Sequence, residues 1–312
     1  MNTNRPVFVS VETSAYSGAT LLAFLLGAHP QIATVGEMSG LIPSEDPGEY
    51  LCSCGQKIQE CEFWRSIEAA MRDRGIEFEV AHFDTKFALN GPTLVQYLRM
   101  GSFRNRYLDL MRDAIFHAWP GEVRQLKALV ARNVALIESV LEVTGKGVFV
   151  DTSKDRLRLK SLRRFSTLDV RAIHLVRDVR GVVASHLRHK KGMTAREAAR
   201  QWARLNHRLQ VTLQFLPQEK RMLVRYEDLC QDVQSTLKRL YRFLGVDPGV
   251  QVMDFQAVPH HIVGNAMRLR GASEIRLDER WKRELTAEQL QEVEGVAGVL
   301  GHQYGYFVNG DS

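Results

Sequence analysis

The stretch VFVSVETSAYSGATLLAFLLGAHP, residues Val7 to Pro30, decides how the chain is read. Val7–Val11 is rich in β-branched residues and runs into polar turn formers, which predicts a buried strand. Thr20–Ala28 is rich in leucine and alanine and predicts a helix. It stops at His29-Pro30, since a residue before proline is pushed out of the helical region. Between strand and helix lie the small residues Ser14, Ala15, Ser17, Gly18 and Ala19. Such a turn lets backbone N–H groups approach an anion at the helix N-terminus, where the peptide dipoles add partial positive charge. The Ser17 and Thr20 hydroxyls can also donate. A nucleotide hydrolase would carry G-x-x-x-x-G-K-[ST] here. Thr13 to Thr20 instead read Thr-Ser-Ala-Tyr-Ser-Gly-Ala-Thr, with no lysine after Gly18. That disfavours magnesium–ATP chemistry and a P-loop kinase. Alone, the stretch fits either an ordinary strand–helix turn or an anion site.

Outward from this turn, strand and helix patterns alternate. Ile32–Val35 predicts a short strand running into Gly36-Glu37. Strands are predicted at Gly147–Asp151, Val170–Val176 and Arg221–Tyr226, and helices at Lys154–Arg164, Arg180–His189, Thr194–Phe215, Gln234–Leu244 and Thr286–Tyr304. Alternation of this kind implies an α/β fold, a P-loop-like parallel sheet flanked by helices. Residues 40–145 differ, with Gly/Pro-rich turns, a cysteine cluster and helical patterns around Phe63–Arg74, Leu94–Tyr97, Arg106–Ala118 and Arg124–Glu142. They read as a helical insertion of about 40–145 within a single domain spanning residues 1–312.

The 312 residues are 45% hydrophobic and 25% charged, ordinary for a globular protein whose core needs no metal or disulfide. A net charge of +6 is compatible with anionic ligands and too weak to indicate nucleic acid. The N-terminus lacks a signal-peptide pattern, and the apolar run TLLAFLLGAH is far short of a membrane span, so a cytoplasmic location is expected.

A second segment, VRAIHLVRDVRGVVASHLR, places Arg177 at a strand end and Ser185 on the following helix. An arginine at a strand terminus supplies a charge-assisted fork for phosphate, although RDVR alone also fits a surface ion-pair network. Taken together, YSGATLLAFLLGAHPQIATVGE, VFVDTSK, RDVRGVVAS, YEDL before FLG, and GNAMRLRG followed by Trp281 resemble, in order and spacing, the sulfotransferases that use 3′-phosphoadenosine 5′-phosphosulfate (PAPS). The likeness runs from about Val7 to Tyr306 and leans toward bacterial members and the protein-tyrosine and carbohydrate branch.

That resemblance implies sulfuryl transfer from PAPS to a hydroxyl or amine of a small-molecule or carbohydrate acceptor, polar or anionic in character, with 3′-phosphoadenosine 5′-phosphate (PAP) released. It requires no metal and no nucleic-acid partner. Tyr16, Ser17, Gly18, Ala19 and Thr20 would cradle the 5′-phosphosulfate. Arg177 and Ser185 would hold the 3′-phosphate, and Arg268, Arg270 and Gly271 would wrap the nucleotide's far side. Lys154 would reach the oxygen bridging phosphorus and sulfur. Glu37 is the expected base, with His260 and His261 as rivals. Many relatives carry a basic residue where this chain has Tyr16, which keeps open a protein that binds PAP or PAPS without turnover.

Three further features stand apart. Cys52, Cys54 and Cys61 in CSCGQKIQECEFW can ligate zinc, with His82 or another group as fourth ligand; a local fold device with no metal is the reading adopted. The basic positions Arg156, Lys160, Arg163 and Arg164 predict a solvated helix face. Ala198, Trp202 and Asn206 share one helix face, predicted to pack in the core.

Overall fold

A computed structural model describes residues 5–42, 45–87, 105–117, 120–250, 255, 258–264, 266–269 and 275–307. Its centre is a five-stranded, all-parallel sheet of order β2-β3-β1-β4-β5, formed by β1 (Val7–Thr13), β2 (Ile32–Thr34), β3 (Val148–Asp151), β4 (Asp169–Val176) and β5 (Arg221–Arg225). β1 and β3 bury nearly every residue, as expected of strands covered on both faces by helices. Around the sheet lie α1 (Ala19–Gly27), α5 (Arg156–Phe165), α6 (Val179–His189), α7 (Ala195–Thr212), α8 (Tyr226–Gln231) and α9 (Val233–Leu244), with α10 (Trp281–Glu284) packed on α6 and α11 (Ala287–Gln303) on α6 and α7. The segment between β2 and β3 supplies α2 (Glu62–Asp73), α3 (Arg106–His117) and α4 (Pro120–Thr144), the helical insertion.

Helix ends follow local chemistry. Thr194 and Thr286 form capping boxes with Glu197 and Gln289 at the starts of α7 and α11. Gly245, with φ 76°, closes α9. The Lys146 ammonium donates to the carbonyls of Gly27, His29 and Ile32, so a cation meets the C-terminal end of α1.

Two expected boundaries move. Lys154 is not the first residue of a helix but a left-handed residue before it, and α5 starts after Asp155, whose carboxylate caps Leu157 and Arg158 N–H. Tyr226 is not the last residue of a strand but the first of α8, a short helix the sequence pattern did not separate. The Leu94–Tyr97 pattern lies outside the described residues.

Packing fixes what the strand tips present. Trp202 on α7 is buried and donates its indole N–H to the Arg177 carbonyl at 3.0 Å. One turn on, Asn206 bonds His174 of β4 at 3.0 Å. The face predicted from Ala198, Trp202 and Asn206 is therefore core, and it anchors the end of β4.

Candidate active site

Ligands in open parallel sheets bind beyond the carboxyl ends of the strands, and the expected residues gather at that edge. After β1, Tyr16 and Gly18 both take left-handed backbone, φ 60° and 87°. Left-handed residues fold a turn so that N–H groups face a common hollow. Gly18 is the N-cap of α1, and no side chain caps the first N–H groups there. Only glycine fits at this position, because a Cβ would lie 2.5 Å from the Tyr226 ring as well as straining the backbone. The Ser14 and Ser17 hydroxyls are hydrogen-bonded at 2.7 Å. The Tyr16 ring stacks on His189 (5.3 Å) and meets His186 edge-on (4.9 Å).

Arg177, just beyond β4, reaches across to this turn. One guanidinium nitrogen donates to the Tyr16 carbonyl at 2.7 Å, and the other contacts Asp278 at its carbonyl and carboxylate, both 3.1 Å. The guanidinium carbon lies 4.7 Å from the centre of the Tyr226 ring. Arg280 and Arg177 together hold the Asp278 carboxyl well below the usual carboxylate range. Ser185 is buried on α6, donates to the Gly181 carbonyl at 2.9 Å, and directly precedes the His186 that flanks Tyr16. The two candidate phosphate pockets thus adjoin at Tyr16.

On the other side of β1 lie Glu37 and Lys154. Lys154 has φ 60°, uncommon for a residue with a Cβ, and its ammonium donates to Glu37 Oε1 at 3.2 Å. Asp151 at the end of β3 holds both loops. Its Oδ1 accepts from the backbone of Met38 (3.2 Å) and Ser153 (3.0 Å), and from the Ser153 hydroxyl (2.5 Å). Its Oδ2 takes Arg158 at 2.7 Å. The backbone at Gly264 presses on Glu37, where a Cβ would meet Glu37 Cγ at 2.8 Å. Glu37 N–H donates to the Val263 carbonyl at 3.3 Å.

One acid beneath the turn is unusual. Glu12 on β1 is fully buried, accepts from Ser10 at 2.8 Å through Oε1, and has no partner at Oε2 among the described residues. Burial pushes its carboxyl up from 4.5 to about 7. A raised folded pKa means that the folded state holds the proton longer. Stability is therefore full below 4.5 and is lost as pH rises through about 7. The loss amounts to about 3 kcal/mol. Glu12→Gln keeps the acceptor for Ser10 and removes the charge. It is expected to be the more stable protein above neutral pH and to lose the pH slope between these values. Urea unfolding over that range checks this; identical slopes in both proteins would show that Glu12 is solvated.

The sequence pattern of the sulfotransferase family matches residues 15–248, three quarters of the chain. The chain belongs to the sulfotransferase family. Its fold is similar to that of the sulfotransferase domain from the curacin biosynthetic pathway, with TM-score 0.55 and 18% identity over 95% of this chain and 98% of that one. The sulfotransferase domain from the Synechococcus PCC 7002 olefin synthase is similar over 95% and 97% of the two chains, with TM-score 0.50 and 18% identity. At these identities the likeness is one of fold. No curated protein matches the chain.

As a family member, the chain brings Tyr16–Thr20, Glu37, Lys154, Arg177 and Ser185 to one sheet edge. Other expected residues stand elsewhere. Arg268 is buried, stacks on Tyr50 (3.9 Å), and donates to the Leu51 and Gly264 carbonyls and to Glu45, so its hydrogen bonds go to the chain rather than to an open pocket. Arg270 and Gly271 lie outside the described residues. His260 bonds the Phe255 carbonyl at 2.6 Å and meets Phe24 edge-on. His261, the second rival base, packs among the cysteines with Nδ1 3.3 Å from Cys61 Sγ and 3.8 Å from Cys52 Sγ. His82, named as one candidate to join those cysteines, instead lines a separate cavity.

Three site-shaping residues were not singled out from sequence. Tyr226 opens the quoted YEDL segment, yet its place between Gly18 and Arg177 depends on a long-range approach. Asp151 and Arg158 form an ion pair with neither side chain exposed. A signal existed for Arg158: it stands four residues before the buried Leu162, on the inward face of α5.

Proposed function

We propose that the protein transfers a sulfuryl group from PAPS to a hydroxyl or amine acceptor and releases PAP. The observation that carries this reading is the meeting of four strand tips: Arg177 bonded to Tyr16, with Lys154 bonded to Glu37 beside them. The uncapped N-terminus of α1 suits the 5′-phosphosulfate, and Arg177 with Ser185 suits the 3′-phosphate. The acceptor oxygen bonds to sulfur as the bond from sulfur to the bridging phosphate oxygen breaks. That electron pair stays on PAP, and the acceptor proton passes to Glu37. Lys154 exchanges Glu37 for the charge developing on the bridging oxygen, which frees the carboxylate to act as base. Positioning and charge stabilisation account for the rest.

A cavity of about 1350 Å³ begins two residues after Glu37, lined by Ser39, Gly40, Leu41 and Ile42 on one side and by Phe83, Lys86 and Arg132 on another. Its size suits a small-molecule or carbohydrate acceptor, and its charged lining, with Lys86 and Arg132 beside Glu45, Glu77 and Asp84, suits a polar one. Residues of the insertion line it, which supports an acceptor-binding role for that segment within one domain. Among the described residues no helix is long and apolar enough to cross a membrane.

The test is transfer of labelled sulfate from PAPS to an acceptor panel, alongside calorimetric binding of PAP. Turnover with tight PAP binding is expected. Binding without turnover on every acceptor favours the alternative, for which the neutral Tyr16 side chain is the motive. Arg177→Ala is expected to weaken PAP about tenfold to a hundredfold, the worth of lost charge-assisted hydrogen bonds. Its turnover at saturating donor should change less. Unchanged PAP affinity in that variant would remove the 3′-phosphate assignment.

A further inference from the structure

We propose that Cys52, Cys54, Cys61 and His261 bind one zinc ion in a closed Cys₃His site. The ligand atoms of all four residues lie within 4.8 Å of one another. Bonds of about 2.3 Å to sulfur and 2.0–2.1 Å to nitrogen, arranged tetrahedrally, put sulfurs about 3.8 Å apart and sulfur about 3.5 Å from nitrogen. Here the Cys54–Cys61 and Cys61–Cys52 sulfurs are 3.7 and 4.0 Å apart. Nδ1 of His261 is 3.3 Å from Cys61 and 3.8 Å from Cys52. Four of the six edges thus have the length a tetrahedral site needs, and the other two are within 4.8 Å. Three thiolates and an imidazole suit a borderline-soft ion with no geometric demand of its own, and they leave no position open for substrate.

The surroundings hold the four donors in place. Cys61 is the N-cap of α2, so its side chain stands at the start of that helix. Gly55, with φ 88°, turns the loop so that its N–H meets the Cys52 carbonyl at 2.9 Å. The Phe63 ring stacks flat on His261 at 4.4 Å and fixes its orientation. Cys52 and Cys61 are buried, whereas Cys54 is exposed and gives an ion its entry.

The site would tie the insertion to the segment behind Glu37. Ser53, between two of the cysteines, donates to the His260 carbonyl at 2.7 Å and accepts from Ile262 N–H at 2.7 Å. Two residues beyond His261, Val263 donates to the Val35 carbonyl and accepts from Glu37 N–H. Zinc would clamp these strands of chain, which are some 200 residues apart in sequence, and so hold the loop that carries Glu37.

The metal is measured without any activity, so this proposal stands or falls separately from sulfuryl transfer. The full chain is purified under reducing conditions, exposed to zinc, passed through metal-free buffer and analysed by mass spectrometry for metal content. About one zinc per chain is expected. Cobalt in its place should show thiolate-to-metal charge transfer and the strong visible bands of a tetrahedral site. Cys54→Ser, the exposed ligand and the mildest change, should lose zinc to a chelator more than tenfold faster or at lower chelator concentration, and His261→Ala should lose it as well. Three outcomes overturn the proposal. Wild type retains neither metal; or Cys54→Ser and His261→Ala retain zinc as wild type does; or two of the four cysteines are joined in a disulfide that reduction opens without creating zinc binding.

Discussion

Asp151→Ala is expected to cost about 3–5 kcal/mol of folding stability, because it strands a buried guanidinium. Arg158 and Asp151 are both without solvent exposure and meet at 2.7 Å. With the carboxylate gone, Arg158 keeps, among the described residues, Asn133 Oδ1 (2.9 Å) and the Thr85 carbonyl (3.1 Å) as close acceptors. The Asp155 carboxylate stands at 3.9 Å, too far to hydrogen-bond. The charge would then remain in a low-dielectric interior with its main counter-charge missing. Total stabilities of about 5–15 kcal/mol make this a large fraction of the whole. Replacing both partners by apolar residues of similar volume should recover most of the loss, since no charge is then left buried. Urea unfolding of the two variants decides the matter. A single variant within about 1 kcal/mol of wild type would mean that water reaches Arg158. Function should suffer even where the fold survives, because Asp151 also holds the N–H groups of Met38 and Ser153, neighbours of Glu37 and Lys154.

The framework of this site was legible because it is written locally. Apolar runs and turn residues mark β1, α1, β3, β4 and α9, and Arg177 and Glu37 follow strand ends directly in the chain. The small residues of the first turn show that backbone can approach a ligand there, and only the other segments favour an anion over an ordinary turn. What could not be read was whatever two distant segments decide together. His261 is identified as a companion of the cysteines only once residues about 200 positions apart are folded onto each other. Arg158 hides in a basic run because neighbouring arginines face solvent and one faces Asp151. Lys154 reads as the first residue of a helix, since helix propensity gives no sign that the chain turns left-handed there before Asp155 caps α5. Glu12 reads as a turn former at a strand end, yet the pairing of β1 with β4 runs to Thr13 and buries it. In each case tertiary burial, not local preference, made the difference.

Lys154→Ala is expected to lower kcat by about a hundredfold to a thousandfold, the loss typical of one pre-placed stabiliser of developing charge. PAP affinity should fall far less. In the free protein Lys154 and Glu37 are a pair at 3.2 Å with side chains 31% and 28% exposed. Screening by water keeps such a pair near 0–1 kcal/mol of stability, so the variant should fold normally and its thermal midpoint should barely move. That separates a catalytic loss from a structural one. Glu37→Gln should also lower kcat, by about a hundredfold or more, if it takes the acceptor proton. Because the two side chains act on the two ends of one displacement, the double variant should lose less than the product of the single losses. Near-normal single-turnover rates in Lys154→Ala would show that another cation meets the departing phosphate. The left-handed backbone at residue 154 would then lack a catalytic reason.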